Sequence, residues 1–308
     1  MEMKLTADNK KLLWILILAL ISLILCSNAF AGGLKLLHEK RFDVNPGETL
    51  QLETATGDVI ISTWAGNEVF VKVYGNRKAE EDIEFSFERT SDGVLIIAEK
   101  DGGFFSNWFS SIDMKFEIQV PANFQTDIKT SGGDISVKDL SGKMSYKTSG
   151  GDVELDNTNG ELFVKTSGGD IGLNKHNGNA QIQTSGGDIK CNNTKGNLEA
   201  GTSGGGISLK AVDGMIDANT SGGDITLEYT GKNMGVDLTT SGGDIKVYLP
   251  ADFKADVELK SSGGSIECDY SMSKTYKVKS NSLDAEFNGG GEKLYCRTSG
   301  GDVKVKEK

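Results

Sequence analysis

Eight aspartates recur at matching places along the chain: Asp134, Asp152, Asp170, Asp188, Asp224, Asp244, Asp284 and Asp302. All but Asp284 close a Ser-Gly-Gly-Asp tetrapeptide. Evenly spaced carboxylates can do two kinds of chemistry. They can bind a hard cation such as calcium together with turn carbonyls, or, in pairs, serve as acid and base in cleaving a glycosidic bond. The four consecutive copies at Asp134, Asp152, Asp170 and Asp188 are the calcium candidates. Against calcium, no Gly-Gly-x-Gly-x-Asp nonapeptide is present, and Gly206 and Ser265 interrupt the row. An Asp side chain accepting N–H groups within its own turn explains the pattern with no metal, so the expected metal site is none, with calcium the alternative. Catalysis needs residues that differ from copy to copy, whereas the same Asp returns each time. The four arginines (Arg41, Arg77, Arg89 and Arg297) lie outside the row, and the chain holds two histidines, His38 and His176. The glycine pairs do not precede helices and no Gly-Lys-Ser/Thr follows them, so they are not phosphate loops. The expected catalytic and cofactor-binding residues are none.

The elements that carry the aspartates form an internal repeat. Thr-Ser-Gly-Gly-Asp-Ile/Val starts at Thr130, Thr148, Thr166, Thr184, Thr202, Thr220, Thr240 and Thr298, with Gly206 replacing Asp in the Thr202 copy. The first five intervals are 18 residues, and a weakened copy begins at Ser261. The long gap before Thr298 predicts one more coil from Ser280, with Asp284 in the Asp position. Counting Thr as position 1, apolar residues alternate at positions 6 and 8 (Ile135, Val137) and at 15 and 17 (Leu162, Val164). Period two means strand, and glycines between the strands supply turns. A unit this short cannot bury its own apolar face, so coils must stack with parallel strands about 4.8 Å apart. The expected fold is all-β: a parallel, right-handed β-solenoid with coils of about 18 residues. The position-1 threonines point inward and their hydroxyls are expected to form a polar ladder.

Three segments are expected: a signal peptide (1–31), a β-rich N-terminal capping region (32–113) and the solenoid repeats (114–308). Lys4, Lys10 and Lys11, the apolar run Leu12 to Leu25 and Ala29-Phe30-Ala31 have the order of a secretory leader, with cleavage between Ala31 and Gly32. An uncleaved anchor, or a lipoprotein built on Cys26, is the alternative. Residues 1–31 carry three lysines against Glu2 and Asp8, so cleavage takes the net charge from −11 to −12. That charge excludes a basic nucleic-acid binder. Cleavage leaves Cys191, Cys268 and Cys296, an odd number that suits small buried hydrophobes; a disulfide between two of them stays open. Within 32–113, Thr54-Ala-Thr-Gly-Asp-Val has the outline of a decayed repeat corner, leaving open a separate domain or degenerate coils. Ile118-Gln-Val-Pro-Ala-Asn-Phe is echoed by Val247-Tyr-Leu-Pro-Ala-Asp-Phe.

One segment breaks the alternation. Phe104, Phe105, Trp108 and Phe109 fall within six residues beside Gly102 and Gly103. Two readings apply: a plug over the first coil, or an exposed patch for a partner, a glycan or a membrane surface.

The leader, Gly57-Asp58-Val59 with Trp64 after it, Val120-Pro121-Ala122 and the Ser-Gly-Gly-Asp-Ile ladder together resemble the bacterial "putative adhesin" family of unknown function and the related head domain of auto-transporter adhesins. The resemblance covers most of the chain after the leader. It implies the solenoid fold, says little about activity and brings no catalytic residues with it. The expected function is an exported, adhesin-like or scaffold solenoid of the bacterial cell envelope, in the periplasm or at the cell surface. Its expected partner is an envelope or cell-surface protein or a glycan. The alternatives are an enzyme acting on polysaccharide and a self-assembling envelope element. Lys304, Lys306 and Lys308 are expected to guard the C-terminal edge against free stacking.

Overall fold

The computed structural model describes residues 33–100 and 112–308. The chain begins with β1 (Lys35–Asp43), β2 (Thr49–Thr54), β3 (Asp58–Trp64) and β4 (Glu68–Gly75). The short helix α1 (Arg77–Asp82) follows, capped by the Asn76 side chain, which accepts the Ala79 N–H at 2.9 Å. Then come β5 (Ile83–Arg89), β6 (Gly93–Lys100) and β7 (Met114–Pro121). The regular coils run through β8 (Gln125–Thr130), β9 (Ile135–Lys138), β10 (Met144–Lys147), β11 (Val153–Asn159), β12 (Leu162–Lys165), β13 (Ile171–Asn177) and β14 (Ala180–Gln183). They continue through β15 (Ile189–Asn192), β16 (Leu198–Gly201), β17 (Ile207–Val212), β18 (Ile216–Thr220), β19 (Ile225–Tyr229), β20 (Val236–Thr240) and β21 (Ile245–Leu249). The last six are β22 (Ala255–Ser261), β23 (Ile266–Asp269), β24 (Met272–Lys279), β25 (Ser282–Phe287), β26 (Lys293–Thr298) and β27 (Val303–Glu307).

Each repeat gives one strand to each of two sheets, one of 13 strands and one of 14. Positions 6 and 8 feed the first sheet; positions 15 and 17 feed the second. Residues 18 apart pair in parallel, so Ile135, Val153, Ile171, Ile189 and Ile207 form one column. All five are buried. The apolar columns of the two sheets meet in a single core, and stacking like on like removes from water the face that one coil alone would leave exposed. The all-β solenoid expected from the period is therefore the observed architecture.

The corners carry the expected polar ladder. From Thr148 on, the threonine hydroxyl reaches the neighbouring coil: Thr166 Oγ1 donates to the Gly151 carbonyl at 3.0 Å and accepts the Gly169 N–H at 3.3 Å. The same clip recurs at Thr148, Thr184, Thr202, Thr220, Thr240 and Thr298, and in serine form at Ser261. Clipping requires the corners to touch. A Cβ on Gly169 would lie 2.0 Å from the Gly151 oxygen, so close approach of backbones, not a left-handed φ, demands glycine there.

Both ends of the stack depart from chain order. In the second sheet the strands run β24-β25-β22-β26-β20 at one end and β8-β2-β6-β5 at the other. The β2/β3 pair is thus the neighbour of β8/β9, with Thr54 opposite Thr130, and β6/β7 lies outside it. At the far end β26/β27, the last pair in the chain, sits between β20/β21 and β22/β23. The expected coil from Ser280 is absent: β25 runs antiparallel to both β22 and β24, and Asp284 pairs with Glu258 and Lys277 on that antiparallel sheet. The hydrophobic parity of Leu283, Ala285 and Phe287 is right for a strand, but parity carries no direction. Nor do Lys304, Lys306 and Lys308 guard an edge. β27 is internal, and these lysines pair with Glu267, Asp269 and Glu228.

Candidate functional site

The stack brings the repeat aspartates into one row. Asp134, Asp152, Asp170 and Asp188 are neighbours in successive coils, and the row begins one coil earlier at Asp58. Each Oδ1 accepts the backbone N–H of the next coil: from Asp152 to Asp134 at 2.8 Å, from Asp170 to Asp152 at 2.7 Å, and from Asp188 to Asp170 at 2.8 Å. Asp188 accepts from Gly206, Asp224 from Asp244, Asp244 from Asp302 and Asp302 from Ser265. The carboxylates therefore bond between turns and not, as expected, within their own turn. Like charges stacked this closely repel. Lysine ammonium groups sit between them: Lys190 Nζ lies 4.0 and 3.9 Å from Asp170 and Asp188, and Lys246 Nζ lies 3.9 and 3.8 Å from Asp224 and Asp244. Among the described residues no three His, Cys, Asp or Glu side chains are grouped to hold a metal ion.

A second arrangement was not foreseen from the sequence. Positions 14 and 16 point outward from the second sheet, where Phe163 stands half-buried with Lys147 Nζ 5.4 Å from its ring centroid. An open groove of about 700 Å³ runs beside it, lined by Ser145, Asn179, Gln181, Asn197, Glu199, Met215 and Asp217. Gln181 Nε2 donates to Glu199 at 3.1 Å, and Asn179 Oδ1 accepts the Asn197 N–H at 3.3 Å. Burial, then the charges of Asp237 and Glu199, push the Asp217 carboxyl above its usual range. The groove thus offers an aromatic face, amides and carboxylates in rows one coil apart. The signal lay in the outward columns of the period, which a search for inward positions passes over.

Among the described residues Glu154 is the other carboxyl pushed up, first by burial and then by Asp152. It stands on the outward face of the first sheet, the opposite side of the rod from Asp217. Two raised carboxyls on opposite faces cannot flank one glycosidic bond. Among the described residues, Cys191, Cys268 and Cys296 are free thiols; Cys191 and Cys296 are buried, and Cys268 is half-buried because its strand lies at the edge of the first sheet. Burial pushes the Cys191 thiol up to about 12. Phe104, Phe105, Trp108 and Phe109, between β6 and β7, lie outside the described residues, and so do Ala31 and Gly32, ahead of β1. Among the described residues no helix is long and apolar enough to cross a membrane.

Solved structures are similar to this chain at low identity. A "putative adhesin" from Bacteroides fragilis is 14% identical with a TM-score of 0.44, over 89% of this chain and 97% of its own. A "putative lipid binding protein" from Parabacteroides distasonis is 11% identical with a TM-score of 0.47, over 90% and 98%. A "putative adhesin" from Parabacteroides merdae is 13% identical with a TM-score of 0.40, over 90% and 97%. No curated protein matches the chain. Residues 47–306 match the model of the family described as Toastrack DUF4097, and the chain belongs to that family.

Proposed function

We propose that this protein is an exported, non-catalytic, adhesin-like solenoid of the bacterial cell envelope, without a cofactor, and that the groove beside Phe163 holds a hydroxyl-rich glycan strand. The groove carries the reading. An aromatic ring packs the apolar face of a sugar, while the amides of Asn179, Gln181 and Asn197 and the carboxylates of Glu199 and Asp217 can pair its hydroxyls. Asn179 and Asn197 hold the same position in adjacent coils, so like amides recur one coil apart along the groove, a spacing that an extended polymer can follow. The leader supports export.

Cosedimentation of the protein with purified envelope glycans tests the site. Phe163→Ala combined with Gln181→Ala should reduce the bound fraction several-fold while the melting temperature moves little, because both side chains face outward. Undiminished binding would exclude the groove, and release of soluble sugar during incubation would favour the polysaccharide-acting alternative. Cell fractionation with N-terminal sequencing tests the location separately; recovery in the cytoplasm with an intact N-terminus would overturn export.

A further inference from the structure

The two edges of the second sheet carry opposite charge. At one end β24 continues the inward face through Met272, Thr275 and Val278, which pair with Phe287, Ala285 and Leu283. Among the described residues no coil lies beyond them, and Val278 is 68% exposed. The other face of β24 carries Lys274, Lys277 and Lys279, and the strand has no acidic residue. At the opposite end β5 places Phe85 and Phe87 on the inward face, opposite Ala98 and Ile96, where they remain half-buried. Its other face carries Glu84 and Glu88.

Direction matches as well as charge. β24 runs parallel to the coil strands of its sheet, since it is antiparallel to β25 and β25 is antiparallel to β22. β5 is antiparallel to β6 and hence to the coils. When two copies lie along one axis, β24 of the first meets β5 of the second as an antiparallel pair, with apolar against apolar and lysine against glutamate. Copies meeting with like ends would set lysine against lysine or glutamate against glutamate, which electrostatics disfavours. Edge strands left with unpaired N–H and C=O groups are templates for such addition.

We propose that the protein docks a second copy of itself head to tail, β24 of one copy extending its sheet onto β5 of the next. The contact is heterologous, so it propagates into filaments unless an end is blocked. It stands independently of what the groove binds.

Sedimentation velocity of the full chain in mild detergent, over a range of protein and salt concentrations, tests it. The expected result is a ladder of elongated species that grows with concentration and shrinks as salt rises. The triple change K274E/K277E/K279E should weaken association by roughly tenfold or more, and E84K/E88K should do the same. Mixing the two variants restores opposite charge at every joint and should restore the ladder. The positions are exposed, so circular dichroism should superimpose; were the triple variant to lose structure, Lys277→Glu alone must still weaken association. A single-protomer species at every concentration, association indifferent to both reversals, or a mixture that fails to recover would each overturn the proposal. Association through the apolar N-terminal segment would show as indifference to both reversals.

Discussion

His176 sits at a position where strict alternation places an outward residue. Asp139, Asn157, Lys175, Asn193 and Ala211, at position 10 of successive coils, have φ between 52° and 59°. This single left-handed residue points outward and turns position 11 back into the core, where Leu140, Thr158, His176, Thr194 and Val212 are buried. A period-two reading cannot see the step, because Asp and Asn are turn residues and Lys and Ala give no sign of it. His176 Nδ1 lies 2.9 Å from the Thr158 hydroxyl, while its Nε2 has no partner. Burial holds the imidazole below its ordinary value of 6.5. The sign follows: below about pH 6.5 the unfolded chain takes up a proton that the folded chain refuses, so stability is intact above that pH and falls as the pH drops toward the lower folded value, by up to about 1.4 kcal/mol per pH unit. Thermal melts between pH 7 and pH 5 should fall more steeply for the wild type than for His176→Val, which places in the column the residue already present at position 212. Equal slopes would show that His176 titrates alike in both states.

At the scale of the corner, the sequence made Ser-Gly-Gly conspicuous but left its cause open, since a left-handed turn and a close approach of backbones both select glycine. The structure separates the two glycines. A Cβ on Gly168 would have nothing nearer than 3.6 Å, whereas on Gly169 it would lie 2.0 Å from the Gly151 oxygen. Moving that corner outward would break the Thr166 clip to Gly151 and the Asp170 N–H bond to Asp152 together. Gly168→Ala should therefore shift stability by less than about 1 kcal/mol, while Gly169→Ala should cost several kcal/mol. Urea unfolding of both variants checks this. Similar midpoints would mean that the corners are held apart and the clips are weak. The aspartates follow the same logic. That they belong to turns was legible, but a residue's identity does not say whether its carboxylate bonds its own corner or the next one, because stacking brings both within reach.

At the scale of the rod, the 18-residue period determines strand number, parity and parallel stacking, yet it cannot determine the order of the coils. The coils are nearly alike, so any could stack on any; order is decided where the chain steps over a place and leaves it for a later or earlier segment. It steps over the β2/β3 pair between β7 and β8, and over the β26/β27 pair between β21 and β22. The Val-Pro-Ala-Asn-Phe and Leu-Pro-Ala-Asp-Phe echoes lie at these two steps. Proline ends the strand, and Phe124 and Phe253 are buried beneath the connection. Phe253 is pinned by the Tyr229 ring, 5.3 Å away, and by the Tyr270 hydroxyl, which accepts its N–H at 3.0 Å. A stop codon replacing Lys293 tests the order. Were the coils stacked in chain order, it would trim one terminal coil and leave the rest. In the observed order it removes an internal pair, stripping β22 and β23 of their parallel neighbours while Phe253 holds the connector at two-coil reach. The expected outcome is that β8 to β21 stay folded while residues 250–291 become sensitive to limited proteolysis. Full protection of 250–291 in the truncated chain would show that β22 and β23 close down onto β20 and β21, and that Phe253 does not fix the step.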